Sequence, residues 1–287
     1  EAMLYRSGAI RKLGRVDHKD AFLDTDTLEK ARGITIFSKQ ALLTAGNTDI
    51  TLLDTPGHVA FSTETERTLQ VLDYAVLVVS GTDGVQSHTE TLWRLLRRYH
   101  VPTFVFVNKM DLPGKSREEL LAQLNHRLGE GFVAFDVPQA DRDEALALCD
   151  ENLMDRMLDA GQLTDADLIP AVARRHVFPC WFGSALRRTE NNVLESVDAL
   201  LDGIDRYTRP APALDAFGAK VFKVSQDEQG TRLTWLRVTG GELKVKAQLS
   251  GEADGEPWEE KANQLRLYSG AKFTQPDLVD AGDVCAV

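Results

Sequence analysis

Three short stretches of this sequence place hydrogen-bonding and charged groups where a nucleotide could be read. Each follows an apolar run of strand length: residues 50–53 lead into Asp54-Thr55-Pro56-Gly57-His58, 103–107 into Asn108-Lys109-Met110-Asp111, and 177–182 into Gly183-Ser184-Ala185-Leu186. In an open sheet of parallel strands, ligands bind beyond the carboxyl ends of the strands, so these are the positions to weigh first. A carboxylate at Asp111 can accept from guanine N1–H and the exocyclic amine together. Adenine offers no such donor pair, and a carboxylate buried against it would be left unsatisfied. The stem of Lys109 can cover the base, Asn108 can brace neighbouring loops, and the N–H of Ala185 can donate to the guanine carbonyl. The bland alternative for this motif is a strand-end turn with a solvated charge pair.

The run ending in His58 has a different chemistry. An aspartate at a strand end, Asp54, can hold a magnesium ion through water, and the Gly57 N–H has no side chain obstructing its approach to a terminal phosphate. His58 then sits where a nucleophilic water could be oriented, although a histidine after a turn glycine is also a common structural residue. Upstream, Arg32-Gly33-Ile34-Thr35-Ile36 adds a hydroxyl and an N–H at Thr35 that could meet the magnesium and the terminal phosphate, which would make the segment sensitive to hydrolysis. An Ile-Thr-Ile triplet equally suits a plain strand.

Elements able to position these residues alternate along the first two-thirds of the chain. Residues 50–54, 75–80, 103–107 and 177–182 read as buried strands, and 62–72, 88–99, 117–128 and 193–207 space apolar residues as amphipathic helices do. Such alternation predicts a mostly parallel sheet covered on both faces. Residues 136–175 are helical in pattern and read as an insertion between two core strands. Pro210 and Pro212 mark a stiff connection. Beyond it the segments 219–224, 233–239, 242–249, 259–267 and 284 onward are short, alternating and glycine-punctuated, as in a small antiparallel barrel. The expected organisation is an α/β domain over 1–207, with its insertion at about 136–175, and a β-barrel domain over 213–287.

Composition bounds the partners. At 287 residues the length fits two domains, and 43% apolar with 27% charged residues is the make-up of a globular chain. No apolar run approaches the ~20 residues of a membrane span, no signal-peptide core is present, and three scattered cysteines signal neither a disulfide framework nor zinc. A cytoplasmic location with no membrane partner is expected. The net charge of −11 argues against a broad basic face for DNA. Ten acidic residues against two arginines between 136 and 167 supply most of that excess. That stretch reads first as a solvated face and second as a dock for a basic or amphipathic protein.

Taken together, Arg-Gly-Ile-Thr-Ile, Asp-Thr-Pro-Gly-His, Asn-Lys-Met-Asp and Gly-Ser-Ala resemble, in order and approximate spacing, the translational GTPases of the elongation factor G superfamily. The second domain resembles the family's barrel at Lys220-Val221-Phe222-Lys223-Val224, at 237–243 and at Ala281-Gly282-Asp283-Val284. Leu4-Tyr5-Arg6-Ser7-Gly8-Ala9-Ile10, then Leu13-Gly14-Arg15-Val16-Asp17, look most like the tetracycline ribosomal protection proteins. So does the modest insertion, with 72 residues between Asp111 and Ser184. The resemblance implies a P-loop-NTPase-like fold and GTP hydrolysis on the ribosome, with ribosomal RNA and the stalk protein as partners. It implies that Gly57, Asn108, Lys109, Asp111, Ser184, Ala185 and Leu186 hold GTP or GDP, that Thr35 and Asp54 hold Mg2+, and that His58 positions the water. A translocating elongation factor or a release-factor-like GTPase is the alternative within the superfamily.

One departure is plain: no Gly-x-x-x-x-Gly-Lys-Ser/Thr loop occurs, and Gly114-Lys115-Ser116 only imitates its end. The family's phosphate loop comes just ahead of the counterpart of Glu1, so the chain is expected to be a fragment, inactive alone. A rival class is a non-hydrolysing GTPase-derived module that binds protein through its acidic insertion and barrel. Such a scaffold would need none of Thr35, Asp54, Gly57, His58 or Asp111.

Overall fold

The computed structural model describes residues 1–14, 21–23, 29, 32, 34–186, 194–227, 229–253 and 255–287. Arg15, Val16, Asp17 and Gly33, which carry part of the family resemblance, lie outside the described residues. After a short helix α1 (Ala2–Arg6), strands β1 (Lys39–Ala45) and β2 (Thr48–Asp54) pair antiparallel as a hairpin. Gly46, at φ 57°, starts its two-residue turn. Ala41, Leu43 and Ala45 are buried while Leu42 and Thr44 face out, the period of two expected of a half-buried strand.

This corrects the sequence reading, which put residues 50–54 in the parallel sheet. The Gly46-Asn47 turn folds β1 directly back onto β2, and among the described residues no strand joins β2 to the parallel sheet. A cleft of about 470 Å³ runs there, walled by Ile50 and Leu52 on one side and Ala75, Val76 and Phe104 on the other.

The parallel sheet itself has the order β3 (Ala75–Ser80), β4 (Thr103–Asn108), β6 (Phe178–Phe182), β5 (Phe132–Ala134). In β4 the side chains of Phe104 and Phe106 join one core cluster, and those of Val105 and Val107 the other. A strand buried on both faces reads as a continuous apolar run, which is why this one is visible in the sequence. Helices α3 (Ser87–Arg98) and α4 (Arg117–Leu128) cover the second face through Trp93, Leu96, Leu120 and Leu124. Helix α2 (Ser62–Leu69) precedes β3, and α8 (Glu195–Tyr207) covers the first face with Val197, Leu200 and Ile204. The sequence reading extended α2 to residue 72. The helix ends at Leu69.

The insertion is helical, as expected: α5 (Gln139–Ala147), α6 (Glu151–Ala160) and α7 (Asp165–Ala173) pack Leu146, Leu153, Leu168 and Val172 against Val133 and Trp181. Asp143 does not belong to a solvated face. It is 1% exposed, accepts the Leu163 N–H at 3.0 Å, and takes two hydrogen bonds from the Arg142 guanidinium. Removing one partner of a buried pair leaves the other uncompensated. Asp143→Ala should therefore lower unfolding stability by about 3 kcal/mol, read from the denaturant midpoint. Asp141→Ala and Glu144→Ala, both exposed, should stay within about 0.5 kcal/mol of the parent.

From β7 (Gly218–Gln226) and β8 (Arg232–Gly240) onward all ladders are antiparallel, and they enclose a small core of Leu236, Val238, Leu243, Ala262, Leu265, Val279 and Cys285. Two expected segments are broken. Residues 242–249 divide into β9 (Glu242–Lys244) and β10 (Gln248–Ala253), because Lys246 takes a left-handed φ of 67° and gives its N–H to Ala262. Residues 259–267 divide into β11 (Glu256–Lys261) and β12 (Leu267–Ser269), with Ala262 and Leu265 turned into the core. No helix among the described residues is long and apolar enough to cross a membrane.

Candidate functional site

Parallel pairing puts the carboxyl ends of β3, β4 and β6 at one edge, since Ser80 pairs with Asn108 and Val107 with Phe182. The three loops that follow are tied together by backbone bonds. Gly81 N–H donates to the Asn108 carbonyl at 2.7 Å, Met110 N–H to Gly183 at 3.0 Å, and Gly183 N–H to Val107 at 2.9 Å. Close approach requires small residues here, because a Cβ on Gly81 would lie 2.6 Å from the Met110 sulfur and 3.0 Å from the Asn108 carbonyl.

Asn108 is the hub. Its Oδ1 accepts the N–H of Lys109 at 2.8 Å and that of Ala185 at 3.0 Å, so one side chain locks the Asn-Lys-Met-Asp turn to the Gly-Ser-Ala turn. Lys109 sits at φ 65°, a left-handed conformation rare for a residue with a Cβ and characteristic of a loop fixed by its surroundings. Lys109, Asp111 and Leu186 are exposed, while Ser184 and Ala185 are half-buried. The Ala185 N–H, expected to face a base carbonyl, is donated to Asn108 in this structure. Nearby, Asp83 is held below the usual carboxylate range by hydrogen bonds from Ser80 and Thr82, with the charges of Lys109 and Lys115 adding to the effect.

Gly114-Lys115-Ser116 is the loop before a helix that its sequence context indicated. Ser116 caps α4 by accepting the Glu119 N–H, Glu119 answers by accepting the Ser116 N–H, and Lys115 donates to the Asp83 carbonyl.

The second group of residues meets at the ends of the hairpin. Lys39 pairs with Asp54, so the chain entering β1, which carries Thr35, stands beside the end of β2 where Asp54-Thr55-Pro56-Gly57-His58 begins. Residues 34–36 form no strand, so the plain-strand alternative for Thr35 is not what the fold uses. Pro56 is buried and its carbonyl accepts the Thr65 hydroxyl at 3.0 Å, which pins the loop to α2. A Cβ at Gly57 would meet nothing within 4 Å, so the backbone there faces open space. His58 is exposed, its Nδ1 accepting the Ala60 N–H at 3.1 Å and its ring 6.0 Å from that of Phe61.

The two groups share one cleft. Its walls include Asp54, Thr55, Pro56 and Gly57 together with Asn108 and Ala185. Three residues that hold this arrangement do not stand out in the sequence: Thr65, Glu29 and Glu64. Glu29 is fully buried and accepts the N–H groups of Ile36 and Phe37, each at 3.0 Å, fixing the segment just after Thr35. Glu64 Oε1 accepts the Ser38 N–H at 3.2 Å. The local signal for Thr65 and Glu64 is their place in the first turn of a helix that starts soon after His58.

Among known proteins, the model of the elongation factor Tu GTP binding domain matches residues 1–210. The chain is 35% identical to a tetracycline resistance protein TetM of Streptomyces lividans, over 93% of this chain and 46% of that protein. It is 34% identical to an oxytetracycline resistance protein of Streptomyces rimosus, over 99% and 47%, and 29% identical to an elongation factor G of Ureaplasma urealyticum, over 100% and 51%. A crystal structure from Thermus thermophilus superposes with a TM-score of 0.84 at 26% identity, covering 100% of this chain and 49% of that one. The chain thus spans about half the length of the curated relatives it matches. With the family model matching well over half of its residues, the chain belongs to the elongation factor Tu GTP-binding domain family and is related to the tetracycline-resistance proteins.

Proposed function

We propose that the protein containing this chain binds GTP with Mg2+ and hydrolyses it on the ribosome, as a translation factor of the tetracycline ribosomal protection type working in the cytoplasm. The observation that carries this reading is Asn108, whose one oxygen joins the base-reading turn to the Ala185 turn at the mouth of a cleft shared with Asp54 and Gly57. Residues 1–207 act as the nucleotide-binding domain and 213–287 as the barrel domain. The two resistance proteins align at higher identity than elongation factor G, which favours the protection type over a translocase.

In this reading Asp111 takes the two guanine donors, the Lys109 stem covers the base, and Ser184, Ala185 and Leu186 close its far side. The hydroxyl of Thr35 and the carboxylate of Asp54 are hard oxygen donors suited to Mg2+. Among the described residues no group of three His, Cys, Asp or Glu side chains could hold a metal by itself. That fits an ion completed by phosphate oxygens and water, as magnesium prefers. The bound ion supplies charge neutralisation at the terminal phosphate. His58, whose Nδ1 accepts the Ala60 N–H, has its Nε2 left to position the attacking water. The ribosomal stalk protein is the partner that the exposed acidic side of the insertion suits.

Equilibrium binding tests the nucleotide assignment. The full-length gene product should bind GDP at least about a thousandfold more tightly than ADP, since a site built for two donors rejects a base that lacks them. Equal affinity for the two would remove Asp111 from base recognition.

A further inference from the structure

The barrel reaches into the nucleotide-binding half through a lysine. Lys223, on β7, is 13% exposed in its side chain. Its Nζ donates to the Ser38 carbonyl at 3.0 Å and lies 3.1 Å from Glu64 Oε1. The same Glu64 oxygen accepts the Ser38 N–H, the hydroxyls of Ser38 and Thr68 are 2.8 Å apart, and Thr68 donates to the Glu64 carbonyl. The rings of Phe37 and Trp235 stand 5.9 and 5.7 Å from Nζ and limit its access to water.

These contacts join the two stretches that carry the phosphate-facing residues. Ser38 closes the segment bearing Thr35, which Glu29 has already fixed at Ile36 and Phe37. Glu64 lies in the first turn of α2, next to Thr65, which pins the Pro56 carbonyl of the loop bearing His58. Neither stretch bonds only to its own neighbours, and the cation that neutralises Glu64 comes from the other domain. A second basic residue of the barrel, Arg237, grips the chain just beyond the far end of α2, donating to the Val71 carbonyl at 2.9 Å and to both oxygens of Asp73. That pair docks the barrel on a different stretch of the chain from Ser38 and Glu64, so it separates docking from positioning.

We propose that Lys223 is a positioning residue that, reaching over from the barrel, ties the Thr35 segment to the His58 loop and so holds the two in register. The inference rests on the GTPase reading above and assigns the barrel a part in GTP hydrolysis. Lys223 touches neither the water nor the phosphates. Its loss acts on the fraction of molecules in which Thr35 and His58 stand together.

Two measurements on Lys223→Met, Lys223→Arg, Glu64→Gln and Arg237→Met test this. In the full-length protein, single-turnover GTP hydrolysis on ribosomes should fall at least about tenfold for Lys223→Met, with GTP and GDP affinities within about threefold of the parent. Lys223→Arg should restore the rate to within about threefold, and Arg237→Met should remain within that range. Glu64→Gln keeps an acceptor for Ser38 but weakens the tether, and should lose at least about threefold, which serves if the methionine variant folds poorly. In this chain alone, amide exchange at residues 36–39 and 62–65 should speed up in Lys223→Met and not in Arg237→Met. A Lys223→Met rate equal to the parent's, or equal losses for Lys223→Met and Arg237→Met, would overturn the proposal. If the parent protein hydrolyses no GTP, the functional reading falls. The exchange arm then still decides whether Lys223 holds the two segments, and unchanged protection at 36–39 would reject it.

Discussion

His58→Ala should lower ribosome-stimulated GTP hydrolysis by at least about a hundredfold, roughly 2.7 kcal/mol of transition-state stabilisation, while GTP affinity off the ribosome should stay within about threefold. The reason lies in where the side chain is. His58 is exposed, in the loop that Thr65 pins at Pro56, and its ring's one described hydrogen bond is local, from the Ala60 N–H. Nothing in that arrangement holds the base motif, so removing the ring leaves the nucleotide's main contacts intact. A group that fixes a water contributes where the nucleophile is held, and the loss appears in the chemical step. The fold should be undisturbed, since an exposed ring with one local bond adds little stability. Single-turnover kinetics beside equilibrium binding separates the two effects, and a parent-like stimulated rate would take His58 out of the mechanism.

Asp111→Asn should cost guanine nucleotides at least about a hundredfold in affinity and bring xanthine nucleotides close to the level that guanine had. In the proposed site the carboxylate accepts from N1–H and the exocyclic amine. The amide keeps one acceptor, and its NH2 faces the amine donor without a partner. In xanthine that amine is a carbonyl, which the amide NH2 can satisfy. Asp111 is exposed in this structure and is held by a backbone framework, with Met110 N–H on Gly183 and Leu112 N–H on Lys109, that a side-chain exchange does not touch. The change should therefore be one of specificity at constant stability. Competition binding with GDP, XDP and ADP reads it directly, and undiminished guanine preference would contradict the assignment.

The parts legible in the sequence are those whose signal is local. The strand at 103–108 is an unbroken apolar run buried on both faces, and the helix at 117–128 starts at a Ser-x-x-Glu capping box and ends before Gly129 at φ 111°. The base motif and the Gly-Ser-Ala turn are legible because each follows such a strand, and parallel pairing then brings them together at Asn108. β1 is harder to see although Gly46-Asn47 between two alternating segments is a hairpin signal, because Lys39 shares the face of Ala41, Leu43 and Ala45 while the apolar Leu42 faces out. The three residues of β5 are too few to carry a period.

The contacts that shape the site are less visible. Glu29 reads as one more charge in a polar stretch, and only the folded chain shows it fully buried against two backbone N–H groups. Asp143 sits in a run of acidic residues, and composition alone cannot separate the one that closes a helix packing from those that face solvent. Lys223 and Glu64 lie far apart along the chain, on either side of the Pro210 and Pro212 connection, so no local window contains both.

Ribosome-switched GTP hydrolysis is tested most directly by following phosphate release from GTP by the full-length gene product with and without ribosomes. Little release from the protein alone, a rise of at least about a hundredfold with ribosomes, and no comparable rise with ATP are the predicted result. Release that ignores ribosomes, or that is as fast with ATP, would contradict it.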